Sequence, residues 1–229
     1  MAGLENVAGK VAIEAGKKLI EESDGLIRSL FGNSITEYGE IMTDNIRYRR
    51  LKNQISILEK VKDFIDEHNM ELKQVNLKVM FPLLNHSSLE ENEDLQLKWA
   101  KLIKNILTVK IEEVVQQKAV EVLSKMSNAD ARVMDHMYSQ FIKAYFHGGL
   151  ESMSIGIENI SHWAKLETEY AKTVTSNLVS LGMLKNTIKG TGTGQASGAS
   201  VSVQSIKVDD ESEFRLTKIG FEIMKLLNE

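Results

Sequence analysis

The chain has 229 residues, 28 Lys plus Arg against 32 Asp plus Glu, a single proline and no cysteine, and 42% of its residues come from the apolar set. That length is a prior for one or two domains able to bury roughly 70% of their unfolded surface, and the missing cysteines exclude disulfides, thiolate metal sites, iron–sulfur ligation and cysteine nucleophiles. The net charge of −4 is spread evenly, with 18 basic and 20 acidic side chains in residues 1–125 and 10 and 12 in the remainder, so no basic half advertises nucleic acid.

The N-terminus lacks the basic and apolar regions of a secretory signal, because Glu5, Lys10 and Glu14 punctuate its first turns, and a cytoplasmic location is expected. No run of 18 residues is apolar and free of charge, so no transmembrane helix is predicted. Residues 4–31 are amphipathic: Leu4, Ala8, Val11, Ala15, Leu19, Leu26 and Leu30 recur at helical spacing, which predicts a helix docked on the protein's own core. Ala8, Ala12 and Gly16 add a small-residue face that another helix can approach.

Phe31-Gly32-Asn33 breaks this helix, and Ser34 with Glu37 has the spacing of a capping box that opens the next. Its stripe of Tyr48, Leu51, Ile55, Leu58, Val61 and Ile65 ends near His68-Asn69. Val75 to Leu84 form a shorter segment in which Pro82 is expected to kink or restart the helix around Met80-Phe81. Ser88 and Glu91 repeat the capping-box spacing ahead of a helix through Leu95, Trp99, Leu102, Ile103 and Ile106. Residues 111–125 read as another helix, with Ile111, Val114, Val115 and Val122 inward.

After Lys125, Ser127 or Asn128 can cap a helix through Val133, Met137, Phe141 and Ile142 that ends at Gly148-Gly149. Residues 150–158 read as irregular. Ser161 is the expected cap of a segment opening at His162-Trp163, with a further helical run through Tyr170, Val174, Leu178 and Leu181 that Gly182 closes at positive φ. Two strands, 183–188 and 201–208, flank a Gly/Ser-rich hairpin tip. Thr217 is the cap of a closing helix, with Leu216 and Phe221 spaced as a hydrophobic staple. The fold class read from this order is mainly α: an N-terminal amphipathic helix (1–39), a multi-helix core (40–125), and a winged-helix-like C-terminal domain with a short β-hairpin wing (126–229).

Three stretches carry a resemblance. They are Tyr48-Arg49-Arg50-Leu51-Lys52-Asn53-Gln54 with Ile57-Leu58-Glu59-Lys60; Phe81-Pro82-Leu83-Leu84; and Ser88 through Gln96 with Trp99-Ala100. Together they resemble the Abi-alpha family, a bacterial domain associated with abortive phage infection. The likeness covers about residues 40–107 and continues more thinly through Asn177 to Leu184 and Leu216 to Phe221, with the Gly-rich tip at 190–200 longer than the family pattern. The resemblance implies a phage-defence association and brings no reaction and no catalytic residues with it.

The residues themselves offer little chemistry. His68, His86, His136, His147 and His162 include no pair at zinc-binding helical spacing. Gly190, Gly192 and Gly194 precede no Gly-Lys-Ser/Thr and open no helix toward a phosphate. Glu90, Glu91, Glu93 and Asp94 complement the positive end of a helix, and Trp99 and Trp163 read as core anchors. No catalytic, cofactor or metal set is therefore expected. The densest positive charge, Arg47, Arg49, Arg50 and Lys52, is a candidate partner contact or pairs with the acidic run at 90–94. Lys165, Lys172 and Lys189 are the candidate nucleic-acid contacts of the winged-helix-like part, although residues 158–229 hold 8 basic against 9 acidic side chains.

These readings lead to a non-enzymatic phage-defence protein that acts through contacts with a host or phage protein. A DNA-binding regulator and a membrane-acting effector using the N-terminal helix are the alternatives, and self-association is open.

Overall fold

The computed structural model describes residues 18, 21–23, 25–27, 29, 30, 44–145, 154–187 and 212–229, with the backbone alone at 44–47, 144 and 145. Among these residues the fold is mainly helical with one small antiparallel sheet. The chain divides into two compact units, Met1–Lys125 with Lys225–Glu229, and Met126–Met224.

The first unit is built on α1 (Asp44–His68), α2 (Leu77–Ser87), α3 (Glu93–Thr108) and α4 (Glu113–Lys125). Nearly every side chain of α3 from Leu95 to Leu107 is buried, Lys98, Lys104 and Asn105 included, which makes it the central helix of this unit. Each fully buried Leu, Ile or Trp there contributes about 1.5–3 kcal/mol of transfer free energy. From α1, Ile55, Ile57, Leu58, Val61 and Ile65 pack inward, while Tyr48 at the head of the expected stripe is exposed. In the N-terminal segment Ser23, Ile27 and Leu30 are buried, and Ser23 Oγ donates to Gln54 Oε1 of α1 at 3.5 Å.

Helix ends in this unit depart from the sequence reading where two signals compete. Ser88 closes α2, its backbone N–H bonding to Leu84 O, and Asn92 caps α3 instead, accepting from Asp94 N and Leu95 N at 3.1 and 3.2 Å. Glu90 Oε1 in turn accepts from Asn92 N at 2.9 Å. Pro82 lies inside α2 without ending it; the helix takes its cap from Asn76, six residues upstream, and packs Val79, Met80, Leu83 and Leu84 on the core, which outweighs the single lost backbone donor. In α4 the buried face is Ala119, Val120, Val122 and Leu123, and Val114 is 71% exposed rather than inward. The start expected at Ser34 lies outside the described residues.

The second unit opens with α5 (Asn128–Tyr145), then β1 (Ile155–Gly156), α6 (Ile157–Ala164), α7 (Thr168–Ser180), β2 (Leu184–Thr187), β3 (Glu213–Leu216) and α8 (Lys218–Asn228), whose last residues from Lys225 count with the first unit. Ser127 and Asp130 form a reciprocal cap at the head of α5: Ser127 N donates to Asp130 Oδ2 at 2.8 Å, and Asp130 N donates to Ser127 Oγ at 3.2 Å. The expected end at Gly148-Gly149 lies outside the described residues.

Two corrections fall between α5 and α7. Residues 155–156 are a strand rather than irregular chain, because Ile155 pairs with Phe214 and buries beside it. The short helix expected to open at His162-Trp163 begins earlier, since α6 starts at Ile157 with Gly156 as its cap position and ends before Lys165, which takes φ 52°. Ser161 does not cap; its hydroxyl donates forward to Leu166 O at 2.7 Å. The sheet order is β1-β3-β2, all antiparallel, with Leu184 opposite Leu216 and Asn186 opposite Phe214. Residues 188–211, which contain the predicted strand 201–208 and the Gly/Ser tip, lie outside the described residues.

The closing helix follows its sequence signals. Thr217 Oγ1 accepts from Gly220 N at 2.9 Å and donates to Gly182 O at 2.6 Å, so one hydroxyl caps α8 and ties it to the end of α7. Phe221, one turn into α8, meets the ring of Tyr138 on α5 with centroids 5.4 Å apart.

Candidate partner-binding surfaces

The basic stretch of α1 separates into side chains with different employment. Adjacent helical residues point about 100° apart, and Arg50 is turned toward the end of α2. There Nε donates to Ser88 Oγ at 2.9 Å, and Nη2 donates to Asn85 Oδ1 at 2.7 Å and Asn85 O at 3.1 Å. Asn53 adds a bond to Ser88 O at 3.2 Å. Arg50 is thus occupied within the fold and is not a free contact. Arg49 faces solvent and reaches Glu91 at 3.8 Å with both side chains more than two-thirds exposed, a geometry worth little energy. Lys52 and Tyr48 are exposed beside it. Arg47 belongs to α1, and its side chain is outside the described residues.

The candidate nucleic-acid lysines do not form one patch among the described residues. Lys172 lies against Glu169, one turn earlier on α7, at 2.8 Å. Lys165 occupies the turn between α6 and α7, and Lys189 is outside the described residues. The outward surface of α7 presents Glu167, Glu169, Tyr170, Thr173 and Ser176, which offers phosphate little positive charge.

The titratable groups with displaced pKa values serve structure. Lys101 and Lys104 of α3 donate to Asn228 O at 2.6 Å and Glu229 O at 2.9 Å, and Asn105 donates to Leu226 O at 2.8 Å. The bonds to Leu226 O and Asn228 O satisfy carbonyls that the last turn of α8 leaves open, and the third reaches Glu229 just after it. Burial, reinforced by the Lys101 ammonium and opposed by Glu229, holds Lys104 below the ordinary lysine value. On α5, His136 stacks on Trp163 of α6 with ring centroids 4.0 Å apart, and Gln140 Nε2 lies 3.3 Å from His136 Nε2. An amide nitrogen only donates, so this imidazole nitrogen accepts. Burial first, then the Lys143 charge, depresses the His136 pKa. Trp163 is half-buried against His136, whereas Trp99 is fully in the core. The cleft bounded by His136, Trp163, Val133 and Ile160 leaves no room for a water molecule. Among the described residues no three His, Asp or Glu side chains converge as metal ligands would, and no helix is long and apolar enough to cross a membrane.

One surface was missed by the sequence reading. Leu72, Leu77, Val109 and Val114 are 40%, 58%, 48% and 71% exposed along one edge of the first unit. Lys73 N donates to Leu107 O at 2.8 Å, and Asn76 Nδ2 donates to Glu113 Oε2 at 3.2 Å, so the chain before α2 and the chain before α4 run side by side. Spacing in α2 did not signal it, because Leu77 lies at the edge of the face formed by Val79, Met80, Leu83, Leu84 and Ser87, between the phases of buried Leu84 and exposed Phe81.

The fold and these surfaces define a mainly helical protein whose described polar groups hold its own elements together. The chain matches the family model described as Abortive infection alpha over residues 43–225. It belongs to the Abi-alpha family. No curated protein and no solved structure matches it.

Proposed function

We propose that the protein serves bacterial phage defence of the abortive-infection type, without catalysing a reaction, through contacts with a host or phage macromolecule. Family membership across residues 43–225 carries this reading. Among the described side chains of the basic stretch, the exposed trio of Tyr48, Arg49 and Lys52, with Leu89 exposed on the loop that Arg50 and Asn53 anchor, is available to a protein partner. The test is phage challenge of cells with and without the protein. A plaque reduction against some phages is expected, and a further loss of protection in the Arg49→Ala/Lys52→Ala variant is expected if this surface is used. Equal plaque counts across a broad phage panel would remove the defence reading.

A second reading has one observation in its favour. The order α5, β1, α6, a three-residue turn, α7, β2, β3 and α8, with the sheet order β1-β3-β2, supports a winged-helix-like reading of this unit. Such modules often serve DNA. The acidic lead of α7 and the Lys172–Glu169 pair argue for a protein-facing or closing role instead. Titration against random duplex at low salt separates the two, since no complex at micromolar protein excludes the DNA regulator.

A further inference from the structure

We propose that the edge formed by Leu72, Leu77, Val109 and Val114 is where two copies of this chain meet. Monomeric proteins seldom expose a large apolar patch, and here Leu72, Leu77, Val109 and Val114 are each 40% exposed or more. The exposure follows from where these residues stand in their elements. Leu77, the first residue of α2 after its Asn76 cap, is 58% exposed, and Val114, the second residue of α4, lies opposite the buried Ala119, Val120, Val122 and Leu123 and is 71% exposed. The Asn76–Glu113 bond fixes these two turns beside each other.

Charge selects the occupant. Residues 70–78 carry Lys73 and Lys78 against Glu71, and residues 109–114 carry Lys110 against Glu112 and Glu113. The edge as a whole is neutral, so two copies would not repel. Its two halves have opposite sign, so a two-fold axis that lays residues 70–78 of one copy over residues 109–114 of the other sets lysines against glutamates. Lys73, Lys78, Lys110 and Glu112 are all exposed and make no ion pair among the described residues. An apolar centre with a charged, self-complementary rim is the composition of an isologous interface. A strongly acidic or basic partner would find no matching field here.

The proposal stands apart from the phage-defence reading, because the mass of the purified chain does not depend on infection. Sedimentation velocity on the full chain from about 1 to 100 μM is expected to show a shift from 25.7 kDa toward twice that mass. Leu77→Asp and Val114→Asp should each return the chain to the monomer across that range, with unchanged helical circular dichroism and urea midpoint, since neither side chain is in the core. The swaps Lys78→Glu and Glu112→Lys should each weaken the dimer about tenfold or more, and the double swap should recover most of the loss. A wild-type chain that stays monomeric at 100 μM would overturn the proposal. So would a dimer that keeps its dissociation constant in both Asp variants, or a wild-type monomer that instead sediments with anionic vesicles through this edge.

Discussion

Replacing Gly220 with alanine tests how α8 is seated in the second unit. An alanine methyl would stand 2.3 Å from the Met183 carbonyl oxygen and 3.0 Å from both its carbon and Thr217 Oγ1. The obstacle is backbone in a closed turn, held by Gly182 N to Val179 O and Met183 N to Leu178 O, each at 2.9 Å. The helix must therefore move, which strains the bonds from Thr217 N to Met183 O at 3.0 Å and from Thr217 Oγ1 to Gly182 O at 2.6 Å. Overpacking of this kind costs about 1–3 kcal/mol, and each weakened hydrogen bond adds about 1 kcal/mol. Alanine's better helix propensity returns about 1 kcal/mol. The net expectation is a loss of about 2–4 kcal/mol, read as a lower urea midpoint at unchanged slope. The sign decides: a rise of about 1 kcal/mol, which an uncrowded helical glycine would give, would refute the close approach.

Three further outcomes follow from the same contacts. Arg50→Ala should cost about 2–3 kcal/mol, because Asn85 and Ser88 lose charge-assisted bonds, while Arg49→Ala should change the urea midpoint by less than about 0.5 kcal/mol; equal effects would refute the division of labour along α1. Lys165→Gly should stabilise by about 0.5 kcal/mol, the relief of left-handed backbone less the entropy of glycine, and a loss in thermal unfolding would show that the lysine side chain itself matters there. His136 has a folded pKa below the ordinary value of 6.5, so the unfolded chain takes up its proton first as pH falls. The stability tied to the neutral ring is fully present above that value and declines below it. Urea midpoints measured from pH 7.5 to 5 should fall more steeply for the wild type than for His136→Gln, and parallel profiles would refute the assignment.

How far these features could be read in advance depends on whether a signal is local. The mainly helical composition follows from the 3.6-residue stripes of α1, α3 and α5, and the caps at Ser127 and Thr217 follow from residue types that satisfy open amides by themselves. Among the described residues three helices end in the same way, with a 6→1 and a 5→2 backbone bond around a left-handed residue: α1 at Asn69, α6 at Lys165 and α7 at Gly182. Two of these were legible, because asparagine and glycine tolerate positive φ. The third was not, since nothing in lysine announces it. The turn is imposed by what surrounds it: Ile157, Ile160 and Ala164 bury on one side, Ala171, Val174 and Leu178 on the other, and Ser161 bonds across the bend.

The partner surfaces obey the same division. A run of four basic residues between 47 and 52 reads as one stripe, yet the helix sends Arg50 inward to Asn85 and Ser88, residues more than 30 positions away that no spacing rule connects to it. The reverse holds for Val114, whose apolar character argues for burial although helical phase sets it opposite the buried Ala119, Val120, Val122 and Leu123. Distant partners decide the first case and helical phase the second: Arg50 is withdrawn from the surface by its bonds to Asn85 and Ser88, and Val114 is presented on the face of α4 opposite its buried residues. A partner surface on this protein is therefore set by which polar groups the helices need for themselves, and the side chains left over, Leu72, Leu77, Val109 and Val114 with the lysines and glutamates around them, are those with nothing inside the chain to hold.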